Sequence, residues 1–543
     1  MKKDIENGQQ IMAGVGVKVS IDHFYGIEIN DFACDVANVA LWIAEAQMKL
    51  ETRDKVGHIE GEVLPIQTEA HIVCANACRI DWNDVCPKPD ITDPTQKDIQ
   101  IYVIGNPPFR GFKFASYEQK QDMKIVFAKE IKPALMDYVC CWYKIASDYI
   151  KDSNILTAFV STNSVCQGQM AGDLWSFLLD KYKIEILFAY QSFVWESESS
   201  DEAKVHVVIV GFGNVISKNK TIYNGLSNET VSNISPYLID APNIIIKSRK
   251  KPIGSVPEMI MGNQAMDGGN LIIEAKDYDS FVKNEPKALP FIKKYMMGYE
   301  FINKKPRWCL WLVNCSPAQL KSMPSVLKRV EAVRKFRSES TDLGARKKAD
   351  TPTLFREQRN PDNFIAIPIV SSERRYYIPI DCLDKNVIVG NKLFIIPNAD
   401  MFHFGILTSS VHMIWMRTVA ARLKSDYSYS KDVVYNNFPW PSPTEEQKAM
   451  IEKTAQNILE ARKLYPDSSF AELYDVNTMP IELRKAHQAN DVAVLEAYGL
   501  KKNTNESDCL KYLMNLYNEL IKNQPEKPKK KTRKKINTEE TNQ

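Results

Sequence analysis

Residues 101–109 read Ile-Tyr-Val-Ile-Gly-Asn-Pro-Pro-Phe, an apolar run that stops at Asn106, Pro107, Pro108 and Phe109. The run fits a buried strand of a parallel sheet. Consecutive prolines cannot donate to a strand ladder and fix a stiff, extended turn. Asn106 is therefore a polar amide at the carboxyl end of a strand, where open α/β sheets place their ligands. Phe109 adds an aromatic ring on the same loop. An ordinary Asn-Pro turn could also close a strand, but such a turn needs neither the second proline nor the phenylalanine.

The word Asn-Pro-Pro-Phe at 106–109 resembles the catalytic motif of the DNA adenine-N6 methyltransferases. The resemblance implies a specific chemistry. The exocyclic nitrogen of adenine is a poor nucleophile because its lone pair is delocalised into the ring. The Asn106 side-chain oxygen and the Pro107 carbonyl would accept its two N–H bonds and draw it toward a tetrahedral geometry aimed at a methyl donor. Phe109 would stack on a base flipped out of the duplex. The implied donor is S-adenosyl-L-methionine.

Residues 23–30 read as a second strand ending in an acid, and residues 31–50 carry helical spacing with Val36, Val39, Ala40, Ile43 and Met48 available for one face. A carboxylate at a strand's carboxyl end can bind both hydroxyls of a ribose, although a surface glutamate in a βα loop has the same local sequence. By the resemblance Glu28 is the ribose-binding acid of the cofactor site. Residues 77–85 would hold the next motif, with Asp81 accepting from the cofactor's adenine and Trp82 packing beside it.

Further along, residues 138–150 form an amphipathic helical pattern, and residues 155–160, 184–190 and 205–212 form strand patterns. Such alternation implies βαβ units and a mostly parallel sheet. The last two strands resemble the antiparallel closing hairpin of a class I, Rossmann-like methyltransferase sheet. Phe193 and Trp195 between them are candidates for the target-base pocket, with a core role equally open. The family's glycine-rich cofactor loop has no counterpart. Gly14 and Gly16 follow no strand pattern and read as a connector. The expectation is an N-terminally incomplete catalytic domain, either truncated or completed by a separate chain that supplies this loop or a nuclease.

The chain has 543 residues and a net charge of +3, enough for several domains but not a polycation, so DNA affinity must come from local basic patches. No apolar run reaches membrane-spanning length, and residues 1–20 lack the apolar core of a secretory leader. The scattered cysteines lack paired metal-binding spacing; no metal site and a reducing, cytoplasmic location are expected. Cys140 and Cys141 read as small core residues.

Residues 216–440 change texture, with short β-like runs, prolines and basic clusters. Base-edge reading needs loops and strands carrying such side chains. Candidates for DNA contact are Arg346, Lys347, Arg374, Arg375, Arg422, Lys424, Tyr427 and Tyr429, supported by Arg329, Arg334, Lys335 and Arg337 as a basic group. The stretch from Ala421 to Pro441 resembles the end of the target-recognition domain in type IIL restriction–modification enzymes, and also suits a hinge packed by Phe438 and Trp440. Residues 441–522 read as a helical module, opened by a capping-box sequence at Thr444. Residues 523–543 read as a disordered basic tail.

The expected architecture is α/β: a partial class I methyltransferase sheet in residues 1–215, a mixed α+β target-recognition domain in 216–440, a helical module in 441–522 and a tail. The expected function is adenine-N6 methylation of double-stranded DNA in a restriction–modification system, without cleavage by this chain alone. The alternative is a catalytically inactive DNA-binding fragment or subunit.

Overall fold

The computed structural model describes residues 19–56, 69–90, 92–128, 130–131, 136–195, 205–423 and 425–524. The basic tail and Gly14 and Gly16 lie outside them. The chain divides into two compact units, residues 1–165 with 173–234, and residues 166–172 with 235–543.

The first unit contains a parallel pair and a six-stranded sheet. The pair is β1 (Tyr25–Glu28) and β2 (His71–Cys74), with helix α1 (Asp31–Val56) between them in sequence. In the larger sheet β3 (Tyr102–Gly105) occupies one edge. Next to it come β4 (Leu156–Thr162), then β6 (Val205–Gly213), β5 (Glu185–Trp195), β7 (Lys220–Asn224) and β8 (Ser227–Val231). β3 and β4 are parallel, and β6 runs antiparallel to both β4 and β5. The carboxyl ends of β3, β4 and β5 therefore share one edge, and β5–β6 is the expected closing hairpin.

Aromatic packing fixes this sheet. Tyr143 on α4 (Cys140–Tyr149) stacks on Phe212 at 5.4 Å and meets Phe159 and Trp175 edge-on. Its hydroxyl bonds Ser161 at 2.6 Å, so its polar end is satisfied inside the core. Cys140 and Cys141 are fully buried, as expected. Gly105 lies against the Phe159 ring, where an added Cβ would come within 3.3 Å. That contact explains the glycine immediately before Asn106.

The face expected on α1 forms but is not covered. Val36, Val39, Ile43 and Met48 are exposed, while Cys34 and Ala46 are buried.

The second unit holds three small sheets. One has the order β10 (Ile272–Glu274), β12 (Arg307–Leu310), β11 (Ile292–Met296), β16 (Val387–Val389). Another has β15 (Asp381–Asp384), β13 (Asn363–Pro368), β17 (Leu393–Pro397), β9 (Ile260–Met261). The third has β14 (Val370–Ser371), β19 (Asp426–Ser428), β18 (Ala421–Leu423). Helices α6 (Pro324–Ser338), α7 (Met401–Leu407) and α8 (Ser410–Val419) add more helix to 216–440 than its short apolar runs suggest. α9 (Glu445–Lys463), α10 (Ile481–Ala497) and α11 (Glu506–Lys522) form the expected helical module. Thr444 and Gln447 exchange the reciprocal bonds of a capping box at the start of α9. No helix among the described residues is long and apolar enough to cross a membrane.

Candidate active site

Asn106 follows β3 directly and is exposed, whereas Pro107 is buried and Phe109 half-buried. The buried proline anchors the loop, so the amide is presented outward without local freedom. Downstream the chain stays pinned: the Arg110 N–H bonds the Pro108 carbonyl at 3.1 Å, and the Tyr138 N–H bonds the Arg110 carbonyl at 2.8 Å. At the end of β5, Phe193 is half-buried and Trp195 exposed, their rings 6.4 Å apart. The β5–β6 register shifts between Tyr190 and Phe193, an irregularity that re-aims these side chains. Asn163, at the end of β4, donates to Ser192 at 3.3 Å and ties the β4 and β5 ends together. The topology thus sets Asn106, Phe109, Phe193 and Trp195 on a single sheet edge.

Glu28 ends β1 and is half-buried; its Oε1 accepts from the Ile29 and Asn30 N–H groups at 2.9 and 3.1 Å. Asp81 is the exposed N-cap of α2 (Trp82–Val85) and accepts from the Asn83 N–H at 2.9 Å. Trp82 is buried, donates its indole N–H to the Ala77 carbonyl at 3.0 Å, and meets Tyr149 edge-on at 6.1 Å. Asp81 and Trp82 border a cavity of about 630 Å³, closed on its far side by Ile145, Asp148 and Tyr149.

Two carboxylates that the sequence did not single out organise these loops. Asp122, on α3 (Tyr117–Phe127), is buried. It accepts from Asn76 at 3.0 Å, from the Arg79 guanidinium at 2.6 Å and from the Tyr138 hydroxyl at 2.7 Å. Burial alone would raise its pKa, but the bonds from Asn76, Tyr138 and Arg79 outweigh it and hold the carboxyl below its ordinary value. Asp122 thereby fixes the turn that leads into Asp81. Asp137 accepts from Ser164 at 2.6 Å, at the end of β4, and sits 3.4 Å from where a side chain on Gly111 would begin. Both partners of Asp122 before α2 lie more than 40 positions upstream, so no local spacing announces the cluster.

In the second unit Arg346, Lys347 and Arg374 are exposed cations, the last paired with Asp475 at 3.4 Å. Other candidates serve the fold. Tyr429 is buried and its hydroxyl bonds His412 at 2.9 Å; Tyr427 is buried beneath the Arg422 guanidinium at 4.2 Å. Both rings pack on the interior side of their chain. Arg422 is spent on Glu373 at 3.1 Å and on the Ser425 carbonyl. Arg375 is half-buried, and burial lowers its pKa. Lys424 lies outside the described residues. Two members of the basic group on α6 are also structural. Arg329 bonds the Asn270 and Ile272 carbonyls. Arg337 has 0% exposure and donates to the carbonyls of Ala265, Met266, Lys348, Thr351 and Leu354. Phe438 is fully buried among His412, Trp415 and Trp440, which is the packing role weighed for it.

Comparison with known proteins places three family models along the chain. Residues 2–224 match the DNA-methyltransferase domain of MmeI, residues 240–442 its target recognition domain, and residues 443–524 its C-terminal domain. DNA methyltransferase A of Bacillus subtilis (strain 168) is 41% identical over 504 residues, 92% of this chain. The chain spans 56% of that relative's length. The solved structure of the type IIL restriction–modification enzyme MmeI in complex with DNA is 39% identical with a TM-score of 0.82, covering 96% of this chain and 70% of that one.

Proposed function

The chain belongs to the MmeI family of type IIL restriction–modification enzymes, and from that membership we propose that it methylates adenine N6 at specific sites in double-stranded DNA, with S-adenosyl-L-methionine as donor. The observation that carries this reading is the outward Asn106 amide on a loop anchored by buried Pro107, at the sheet edge that also holds Phe193 and Trp195. We assign the reaction to residues 1–215, sequence reading to 216–440 and bracing of the recognition fold to 441–522.

The target adenine would leave the duplex and lie on Phe109, with Phe193 and Trp195 as further walls of the pocket. Asn106 Oδ1 and the Pro107 carbonyl would each accept one N–H of its amino group. Two acceptors outside the ring plane favour a pyramidal nitrogen whose lone pair is free to attack, and a preset loop loses little entropy in doing so. The nitrogen becomes cationic on attack and then sheds its proton readily, so no strongly shifted base is needed beforehand.

The residues present fit the nucleoside part of the donor. Glu28 Oε1 is held by two backbone N–H groups, leaving Oε2 for ribose hydroxyls. Asp81 and Trp82 stand at a cavity of about 630 Å³, large enough for an adenine ring. When bound, S-adenosyl-L-methionine supplies an electrophilic sulfonium methyl group. On the second unit, Arg346, Lys347 and Arg374 would meet phosphates.

The test is a chromosomal Asn106→Ala substitution in the native host, followed by sequencing of modified bases. The expected result is loss of N6-methyladenine at one sequence, with the purified variant still binding DNA. An unchanged adenine map, or loss of a cytosine mark instead, would refute the reading.

A further inference from the structure

None of the eleven cysteines stands in a disulfide, yet the first unit brings four of them together as two pairs of touching thiols. Cys78 and Cys141 hydrogen-bond one another, and both are buried. Cys34 and Cys74 also hydrogen-bond one another, but here only Cys34 is buried and Cys74 is exposed. A thiol open to solvent with a second thiol behind it is the arrangement that lets a cysteine pair respond to oxidants.

The backbone holds both members of the open pair in place. Cys34 lies in the first turn of α1, where its N–H bonds the Asn30 carbonyl at 3.0 Å and the Asn30 side chain accepts from the Ala33 N–H at 3.2 Å. Cys74 ends β2 opposite Glu28 in the parallel register, and the next residue, Ala75, donates its N–H to the Glu28 carbonyl at 2.8 Å. Each sulfur also reaches the turn between β1 and α1. Cys34 Sγ lies 3.9 Å from the Glu28 carbonyl oxygen, and Cys74 Sγ lies 3.8 Å from that of Ile29. Contacts of this length are weak. They do not hold the sulfurs against a stronger bond, and two thiols that already touch need little backbone movement to join.

We propose that Cys34 and Cys74 form a reversible thiol–disulfide site, oxidised by a hydroperoxide and reduced by a small dithiol, that resets the turn carrying Glu28. With hydrogen peroxide, Cys74 Sγ attacks one oxygen and the O–O bond breaks. The sulfur becomes a sulfenic acid, and the other oxygen leaves as water with the Cys74 proton. Cys34 Sγ then attacks the Cys74 sulfur. The S–S bond forms, the S–O bond breaks, and the departing hydroxide takes the Cys34 proton as a second water. Two electrons thus pass from the thiols to the peroxide. A dithiol reverses the step by exchange and leaves as its own disulfide. Burial, with Cys74 beside it, raises the Cys34 pKa, so Cys34 keeps its proton and acts second. Cys78 and Cys141 lack an exposed member to begin the same sequence.

The bond changes the turn because a disulfide sulfur has no proton to donate. The Glu28 and Ile29 carbonyls lose their sulfur donors, and the first turn of α1 becomes tied to the end of β2. The Ile29 and Asn30 N–H groups that hold Glu28 Oε1 lie within this tied loop. None of this depends on what Glu28 binds.

The test treats the full, reduced chain with hydrogen peroxide, blocks remaining thiols with N-ethylmaleimide and reads digested peptides by mass. A peptide linked through Cys34 and Cys74 is expected, lost on treatment with dithiothreitol, with Cys78 and Cys141 still alkylated after unfolding. Cys34→Ser should leave Cys74 as a sulfenic acid that dimedone traps, and Cys74→Ser should leave Cys34 unmodified. Amide exchange at Ile29 and Asn30 should slow on the order of 10-fold in the oxidised chain. An unmodified Cys74, a sulfenic acid that persists beside Cys34, a bond between Cys78 and Cys141 or between two chains, or equal exchange in both forms would each overturn the proposal.

Discussion

β1–β2 and β13–β17 are strand pairs in opposite surroundings. β1 reads Tyr-Gly-Ile-Glu and buries none of its residues, whereas β13 reads Asn-Phe-Ile-Ala-Ile-Pro and buries all but its first. Their sequences and their neighbours both separate them. β13 pairs on both sides, with β15 and β17, and packs with Phe301 and Ile302. Among the described residues β1 pairs only with β2. Pairing on both sides, with packing beyond it, is what buries β13.

The largest expected effect lies on the well-packed side. Arg337→Met removes a cation bonded to five carbonyls and should cost the second unit about 5 kcal/mol, roughly 1 kcal/mol per orphaned carbonyl. Urea unfolding would show it as a lower midpoint for one transition only. Arg337→Lys should recover little, because an ammonium cannot span the same fork. An unchanged midpoint would remove the claim that this side chain is structural.

A matched pair of truncations sharpens the contrast. Ile365→Ala, in a fully paired strand, should cost about 3 kcal/mol. Ile104→Ala should lie within about 0.5 kcal/mol in the chain alone. Equal costs, read by thermal denaturation, would mean that β3 is covered in solution.

Acid should separate the units next. His412 and His487 are fully buried, and burial lowers both to about 3. An unfolded histidine titrates near 6.5, so the unfolded chain takes up protons that the folded chain refuses. Their contribution is complete above about pH 6.5 and is lost as pH falls toward 3. About 3 kcal/mol should be gone from the second unit by pH 5.5. His23, His71 and His206 in the first unit are not buried. A first unit that melts earlier on acidification would break the comparison.

The smallest effect concerns DNA. Arg346→Ala should weaken binding uniformly across sequences and reduce the slope of log affinity against log salt by about 1. Tyr429→Phe should leave that slope alone, since its hydroxyl faces His412. A slope change for Tyr429 and none for Arg346 would reverse the assignment of this surface.

Much of this was legible in sequence where the signal is local. The strand before Asn106, the β5–β6 hairpin and the capped helix at Thr444 each follow from adjacent residues. The α1 stripe was legible as amphipathic, but nothing local says whether it is covered. Arg337 was read with its charged neighbours because its acceptors sit at 265–266 and 348–354, distant in sequence or across a turn. Tyr427 and Tyr429 resembled a phosphate-contacting pair amid cations. Their spacing of two places both rings on one side of an extended chain, and that side faces the core. Asp122 was invisible for the same long-range reason.

The five carbonyls captured by Arg337 have a consequence for how such a protein can diversify. The segment from Ser338 to Lys347 leaves α6 immediately after this cation and returns to it at Lys348. Its two ends are thus clamped to one guanidinium, whatever residues lie between. Exposed positions such as Arg346 and Lys347 can be exchanged for other polar residues without shifting the frame, so the charge this surface presents can change without refolding the scaffold.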